Sequence, residues 1–216
     1  GVPGLSRWKM VDNLRRSLTP ILWVLASVAG WSSLPFAVAI QWQALLIVSL
    51  FMAPTYDIID SIWPDNPDVT LRGHIISLGQ DIAFGSAMVA MRVVLMAHSA
   101  WMMADAILRT LYRLFVSRKH LLEWRTASQA QRSGVNTPGG YYRMMSGALL
   151  VAVLGLAIPT AAHSSGAFVA LIFAVFWALS PLFAWLVSRS AETEDRLFVK
   201  EEDRVALRSM ARRTWH

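Results

Sequence analysis

The chain has 216 residues, of which 55% are hydrophobic and 16% charged, and its mean hydropathy of +0.44 is too apolar for an ordinary water-soluble domain. Lys and Arg outnumber Asp and Glu 20 to 14; beside hydrophobic stretches that excess points to anionic lipid headgroups, and no aromatic and basic nucleic-acid motif accompanies it. With no cysteine, disulfides, thiolate metal ligands and a cysteine nucleophile are excluded.

The start, Gly1-Val2-Pro3-Gly4, has neither an initiating Met nor the pattern of a signal peptide, and the expectation is a chain cut from something larger. Residues 1–17 form a basic amphipathic stretch with Arg7, Trp8, Lys9, Arg15 and Arg16, read as a cytoplasmic helix leading into the membrane. From Ser17 to Tyr56 there is no Asp, Glu, Lys, Arg or His. That is about 40 residues, against the ~20 needed for one crossing, so residues 18–56 are expected to form a first transmembrane hairpin. Its break is placed at Trp31–Pro35, with Gly30 ending one helix, Pro35 starting the next and Trp31 at the interface.

Residues 57–70 hold Asp57, Asp60, Asp65 and Asp68 interleaved with Pro64 and Pro67, just past Pro54. They read as a turn-rich acidic linker, its spacing unlike that of an EF-hand loop. Residues 71–132 are ambiguous. Ile82–Ala104 is apolar enough to span, but Arg92 sits near its centre, at roughly 2.5 to 3.5 kcal/mol on insertion scales. Helices at the cytoplasmic interface, or packed on the bundle, are the favoured reading; a re-entrant or spanning helix is the alternative. Arg92 is an intramembrane polar candidate, paired with Asp81 or Asp105, in contact with a substrate, or snorkelling. Asp105, Arg109 and Arg113 recur every four residues and share a helix face. Arg118, Lys119, Trp124 and Arg125 follow them. Together with Arg7, Trp8 and Lys9, the candidates for lipid contact or domain docking are Arg109, Arg113, Arg118, Lys119 and Trp124.

Residues 133–142, rich in Gly, Asn and Pro, read as a loop. Residues 143–188 form a second expected hairpin, without charge from Met144 to Ser188 save the titratable His163, and divided at Pro159–Gly166. Trp185, just before Arg189, is placed like an aromatic-belt residue, and the tryptophans as a class are expected to be interfacial anchors. Residues 189–216 would be a cytoplasmic linker to a downstream domain. The fold class is therefore all-α integral membrane: two transmembrane hairpins, about four spans, with amphipathic interfacial helices between them. Basic flanks and uncharged tips around Ser32 and Ser164 put both ends in the cytoplasm.

Chemistry is sparse. His74, His98, His120, His163 and His216 show no metal-binding pattern, and no GxSxG elbow marks a nucleophile. No catalytic, cofactor-binding or metal residue is assigned.

Three segments carry a resemblance. They are Gly4-Leu5-Ser6-Arg7-Trp8-Lys9-Met10-Val11-Asp12-Asn13-Leu14-Arg15-Arg16-Ser17-Leu18; Leu111 to Trp124 with Thr126-Ala127-Ser128-Gln129-Ala130; and Glu202-Asp203-Arg204 with Leu207-Arg208 and Ala211-Arg212-Arg213-Thr214-Trp215. In this order they resemble the membrane region of the cyclic β-1,2-glucan synthases, bacterial inner-membrane enzymes. The resemblance implies a multi-pass segment between a glycosyltransferase domain and a glycoamylase-like domain of one polypeptide, positioning both, with a contribution to glucan passage as a further expectation. UDP-glucose and a divalent cation are implied for the intact enzyme, none of it bound in this segment. The chain has no matching Asp-x-Asp or QxxRW motif, so no catalytic residue carries over. The competing class is a stand-alone transporter or sensor membrane domain.

Overall fold

The structure is a computed structural model that describes residues 4–61, 71–118, 137–189 and 201–214. Among them the regular structure is entirely helical. α1 spans Gly4–Ser33, and its two halves differ: the first mixes charged with apolar residues and is largely exposed, while the second buries Trp23, Val24, Ser27, Gly30 and Trp31 at three- and four-residue spacing. It runs through Gly30 and stops before Pro35, because proline disfavours helical geometry in the residue before it. Gly30 therefore does not end the helix. A Cβ there would collide with the indole of Trp42, so glycine lets the neighbouring helix approach.

That neighbour is α2, Phe36–Leu50, whose 15 residues extend about 22 Å, short of the ~30 Å hydrocarbon core. Two reciprocal bonds fasten it to α1. Trp23 Nε1 donates to the carbonyl of Leu46 at 3.0 Å and Trp42 Nε1 to that of Ala26 at 2.9 Å, which fixes an antiparallel register. After Phe51 the chain forms α3, Met52–Ser61. The expected acidic linker is thus helical in its first part, carrying the backbone of Asp57 and Asp60. Pro54 is tolerated because a first-turn N–H has no intrahelical partner. Asp65 and Asp68 lie outside the described residues.

α4, Leu71–Val94, and α5, Met96–Tyr112, meet at Leu95 at an angle of 58°. α5 runs on into a π-helical turn, Arg113–Ser117, closed by Arg118, whose N–H donates to the Arg113 carbonyl at 2.8 Å and whose φ is 50°. The expected loop at 133–142 is helical in its second half. Thr137 caps α6, Pro138–Met144, its hydroxyl accepting from the Gly140 N–H at 3.3 Å, and Pro138 takes the first helical position. α7, Ser146–Ala161, follows at 66°, then α8, Ala167–Ser188. α9 spans Glu201–Thr214.

Among the described residues α8 alone is long and apolar enough to cross a membrane as one helix, and up to three crossings result if each bent pair counts as one. α7 and α8 form the tightest pair, and α1 and α5 pack against them. Ala148, Ala152 and Gly155 of α7 let it lie close to its neighbours, with Gly155 beside Trp177 and Val28, and Gly147 beneath the ring of Trp101. Trp31, Phe173 and Trp177 stack in the centre, with ring centroids 5.3 to 6.1 Å apart. Trp31 and Trp177 are both 0% exposed, so neither is the interfacial anchor that composition suggested. Outward-facing residues of α7 and α8 are apolar and exposed, among them Val153, Leu154, Phe168, Ile172 and Val175. These two helices thus present a contiguous apolar surface, larger than a water-facing helix pair carries.

Candidate functional site

The bundle has two chemically different ends. At one end the turns between α1 and α2 and between α7 and α8 interlock. The Phe36 N–H donates to Ser165 Oγ at 3.0 Å, Ser164 Oγ donates to the Leu34 carbonyl at 3.4 Å, and Gly166 tucks under the Trp31 carbonyl where a Cβ would clash. Phe36 and Phe168 meet edge to face at 6.4 Å. No Lys or Arg lies in these turns; His163 sits there, exposed, with a left-handed φ of 50°.

The other end collects the charge. Ser17 of α1 shares a groove of about 270 Å³ with Met103, Ala106, Ile107, Thr110 and Leu111. The first turns of α5, with Met96, Ala97 and Ala100, lie in the core beside Trp23 and Trp177, so α5 descends antiparallel to α1. This places Asp105, Arg109 and Arg113 at the same end as Asp12, Arg15 and Arg16. Asp12 accepts from Arg15 at 2.8 Å and pairs with Arg16 at 2.7 Å. The Arg15 hydrogen bond, aided by the charge of Arg16, holds the Asp12 carboxyl below its ordinary range. Arg109 Nε donates to Asp105 Oδ1 at 2.8 Å across one turn, on a surface open to solvent. Where α8 ends at this side, Arg189 lies 5.0 Å from the ring centroid of Trp185, a cation–π contact.

The candidates from the sequence divide accordingly. Arg7, Trp8 and Lys9 are exposed on the first half of α1. Arg109 and Arg113 follow Asp105 on one stripe, as their spacing predicted. Arg118 does not continue that helix: it caps the π turn in left-handed geometry. Lys119, Trp124 and Arg125 lie outside the described residues. Arg92 is exposed in the last turn of α4 and forms an ion pair with neither Asp81 nor Asp105, the latter being held by Arg109.

Sequence reasoning missed what lies between the two ends. Trp177 Nε1 donates to the Val93 carbonyl at 3.1 Å, tying α8 to the break between α4 and α5. Ser27, Trp31 and Gln43 are buried with polar atoms that have no protein partner. The only signal in the sequence was a polar residue at a core-facing position in each of two uncharged stretches, and that becomes visible once their register is known.

No family model matches the chain. It is 50% identical over 215 residues to a cyclic beta-(1,2)-glucan synthase, NdvB, of Rhizobium meliloti (strain 1021). The match takes in 100% of this chain and spans 8% of that protein's length. The resemblance first carried by three segments therefore extends over the whole chain.

Proposed function

We propose that the chain is the membrane-embedded segment of a cyclic β-1,2-glucan synthase. It anchors and positions a UDP-glucose-dependent glycosyltransferase domain and a glycosidase-like cyclisation domain of the same polypeptide. The observation that carries this reading is the 50% identity, end to end, with a segment of such a synthase. In this role the chain contributes no catalytic residue, and UDP-glucose and a divalent cation are bound by the flanking domains. Residues 18–56, the second half of α1 with α2 and the start of α3 that extends it, and α6–α7 with α8, form two hairpins and four crossings of the inner membrane, with both ends cytoplasmic. The segregation of charge supports this arrangement, since the basic end suits anionic headgroups and the turn end has no Lys or Arg. So does the tip contact between the hairpins, which requires both turns on one side.

The test is glucan synthesis from UDP-glucose by the intact enzyme, compared with a version in which this segment is replaced by an unrelated four-span segment. The purified segment is assayed in parallel. The native segment is expected to insert into membranes and turn over no UDP-glucose, and its replacement to abolish glucan synthesis. Turnover by the segment alone, or full synthesis after replacement, overturns the scaffold role.

A further inference from the structure

Four tryptophans in the bundle have their indole N–H turned inward, and three of them reach a carbonyl on another helix: Trp23 to Leu46, Trp42 to Ala26 and Trp177 to Val93. The fourth, Trp31, is 0% exposed and its Nε1 has no partner. The hydroxyls of α1 show the same contrast. Ser17, Thr19 and Ser32 each donate to the carbonyl four residues back, the usual way for a helical hydroxyl to satisfy itself. Ser27, also 0% exposed, does not. On α2 the amide of Gln43, 3% exposed, has neither its oxygen nor its nitrogen paired.

Helix periodicity and interhelical register put these groups in one region of the bundle. Ser27 and Trp31 are one turn apart on the core-facing stripe of α1. The bonds Trp23–Leu46 and Trp42–Ala26 fix the register so that Gln43 lies within about two residues of the level of Ser27 across the helix pair. Their chemistry is complementary: an indole donor, a hydroxyl that both donates and accepts, and an amide that offers both. Each group left unpaired in an apolar interior is costly, and proteins meet that cost with ordered water that makes two to four hydrogen bonds. Burial on all sides leaves no route for a sugar or a headgroup, so the ligand is water-sized.

We propose that Ser27, Trp31 and Gln43 enclose an internal water site between α1 and α2, which joins the two helices of the first hairpin through a polar contact inside the bundle. The inference rests on burial and register alone and stands or falls separately from the role of the chain in glucan synthesis.

X-ray hydroxyl-radical footprinting of the intact protein in nanodiscs reads the site directly, because radicals form where bound water is and oxidise the nearest reactive side chain. Trp177, equally buried but with its N–H bonded to protein, is the internal control. Trp31 is expected to oxidise at least several-fold faster than Trp177, and Gln43→Leu to bring it down to the Trp177 rate. Equal oxidation of Trp31 and Trp177 in the native protein overturns the proposal, including the case of a direct Ser27–Gln43 bond with no water. A second readout is the thermal midpoint. Gln43→Leu should lower it by stranding Ser27 and Trp31, and adding Ser27→Ala should recover part of the loss, a non-additive pair. A rise with Gln43→Leu alone would mean that the amide was an unsatisfied burden, and overturns the proposal as well.

Discussion

Gly30 illustrates how a residue that looks like a helix stop serves packing instead. Local rules give glycine in an apolar run about 1 kcal/mol of disadvantage relative to alanine in a helix, so Gly30→Ala should help α1 if only the helix mattered. The added methyl, however, meets the Trp42 ring, and that ring cannot retreat without stretching its 2.9 Å bond to the Ala26 carbonyl. Overpacking of this kind costs roughly 1–3 kcal/mol, so the contact outweighs the propensity. Gly30→Ala is expected to lower the thermal midpoint in detergent, and Gly30→Ala with Trp42→Phe to lower it less than the sum of the two, since the clash and the bond are lost together. An unchanged or raised midpoint for the single variant would show that the helices part without loss. The central tryptophans carry the same lesson, because membrane context led them to be read as interfacial anchors, whereas Trp23, Trp31 and Trp177 are core residues and three of their class tie helices together.

Among the elements, the end of α5 concentrates charge and carries the clearest choice between two partners. Asp105, Arg109 and Arg113 share a stripe, and the π turn that follows stops the helix at Arg118. Their spacing was legible in the sequence because it is a local periodicity; the π turn was not, because it depends on one widened hydrogen bond. Attraction to anionic lipid acts on the charge and is worth about 1 kcal/mol per basic residue near the surface, which Lys supplies as well as Arg. Docking against a neighbouring protein surface uses the planar donors of the guanidinium, and Arg109 spends only its Nε on Asp105. The double variant Arg109→Lys, Arg113→Lys in the intact enzyme is expected to reach normal membrane levels while losing much of its glucan synthesis. Full activity at normal membrane levels would leave lipid attraction as the whole role of this stripe.

At the scale of the molecule, the two uncharged runs and the basic flanks were legible because both are properties of stretches, independent of which helix meets which. The helices α3 and α6 were hidden in runs of Pro, Gly and Asp: in each the proline occupies a first-turn position, where it does no harm, and Thr137 caps α6. The water site was hidden because it depends on interhelical register. Orientation is the remaining large-scale expectation, and the interlocked turns make it testable in a way that the sequence did not. Leu34, Phe36, Ser164 and Ser165 hold the two hairpins together at that end, whereas Ser33 and Ala162 are exposed beside that contact and outside its bonds, so they accept a thiol without opening it. The chain has no native cysteine, so each substitution gives it a lone thiol. Ser33→Cys and Ala162→Cys are expected to react with a membrane-impermeant maleimide in cells whose inner membrane is intact, and Ser128→Cys to react only after that membrane is permeabilised. Both hairpins must label alike, because their turns touch. Labelling of Ser128→Cys in intact cells would mean that α4 and α5 cross the bilayer an odd number of times, and would put the second half of the chain, with Arg189, in the opposite orientation. That outcome would then conflict with the contact between the turns, so one experiment tests the even-span topology and the packing of the two hairpins together.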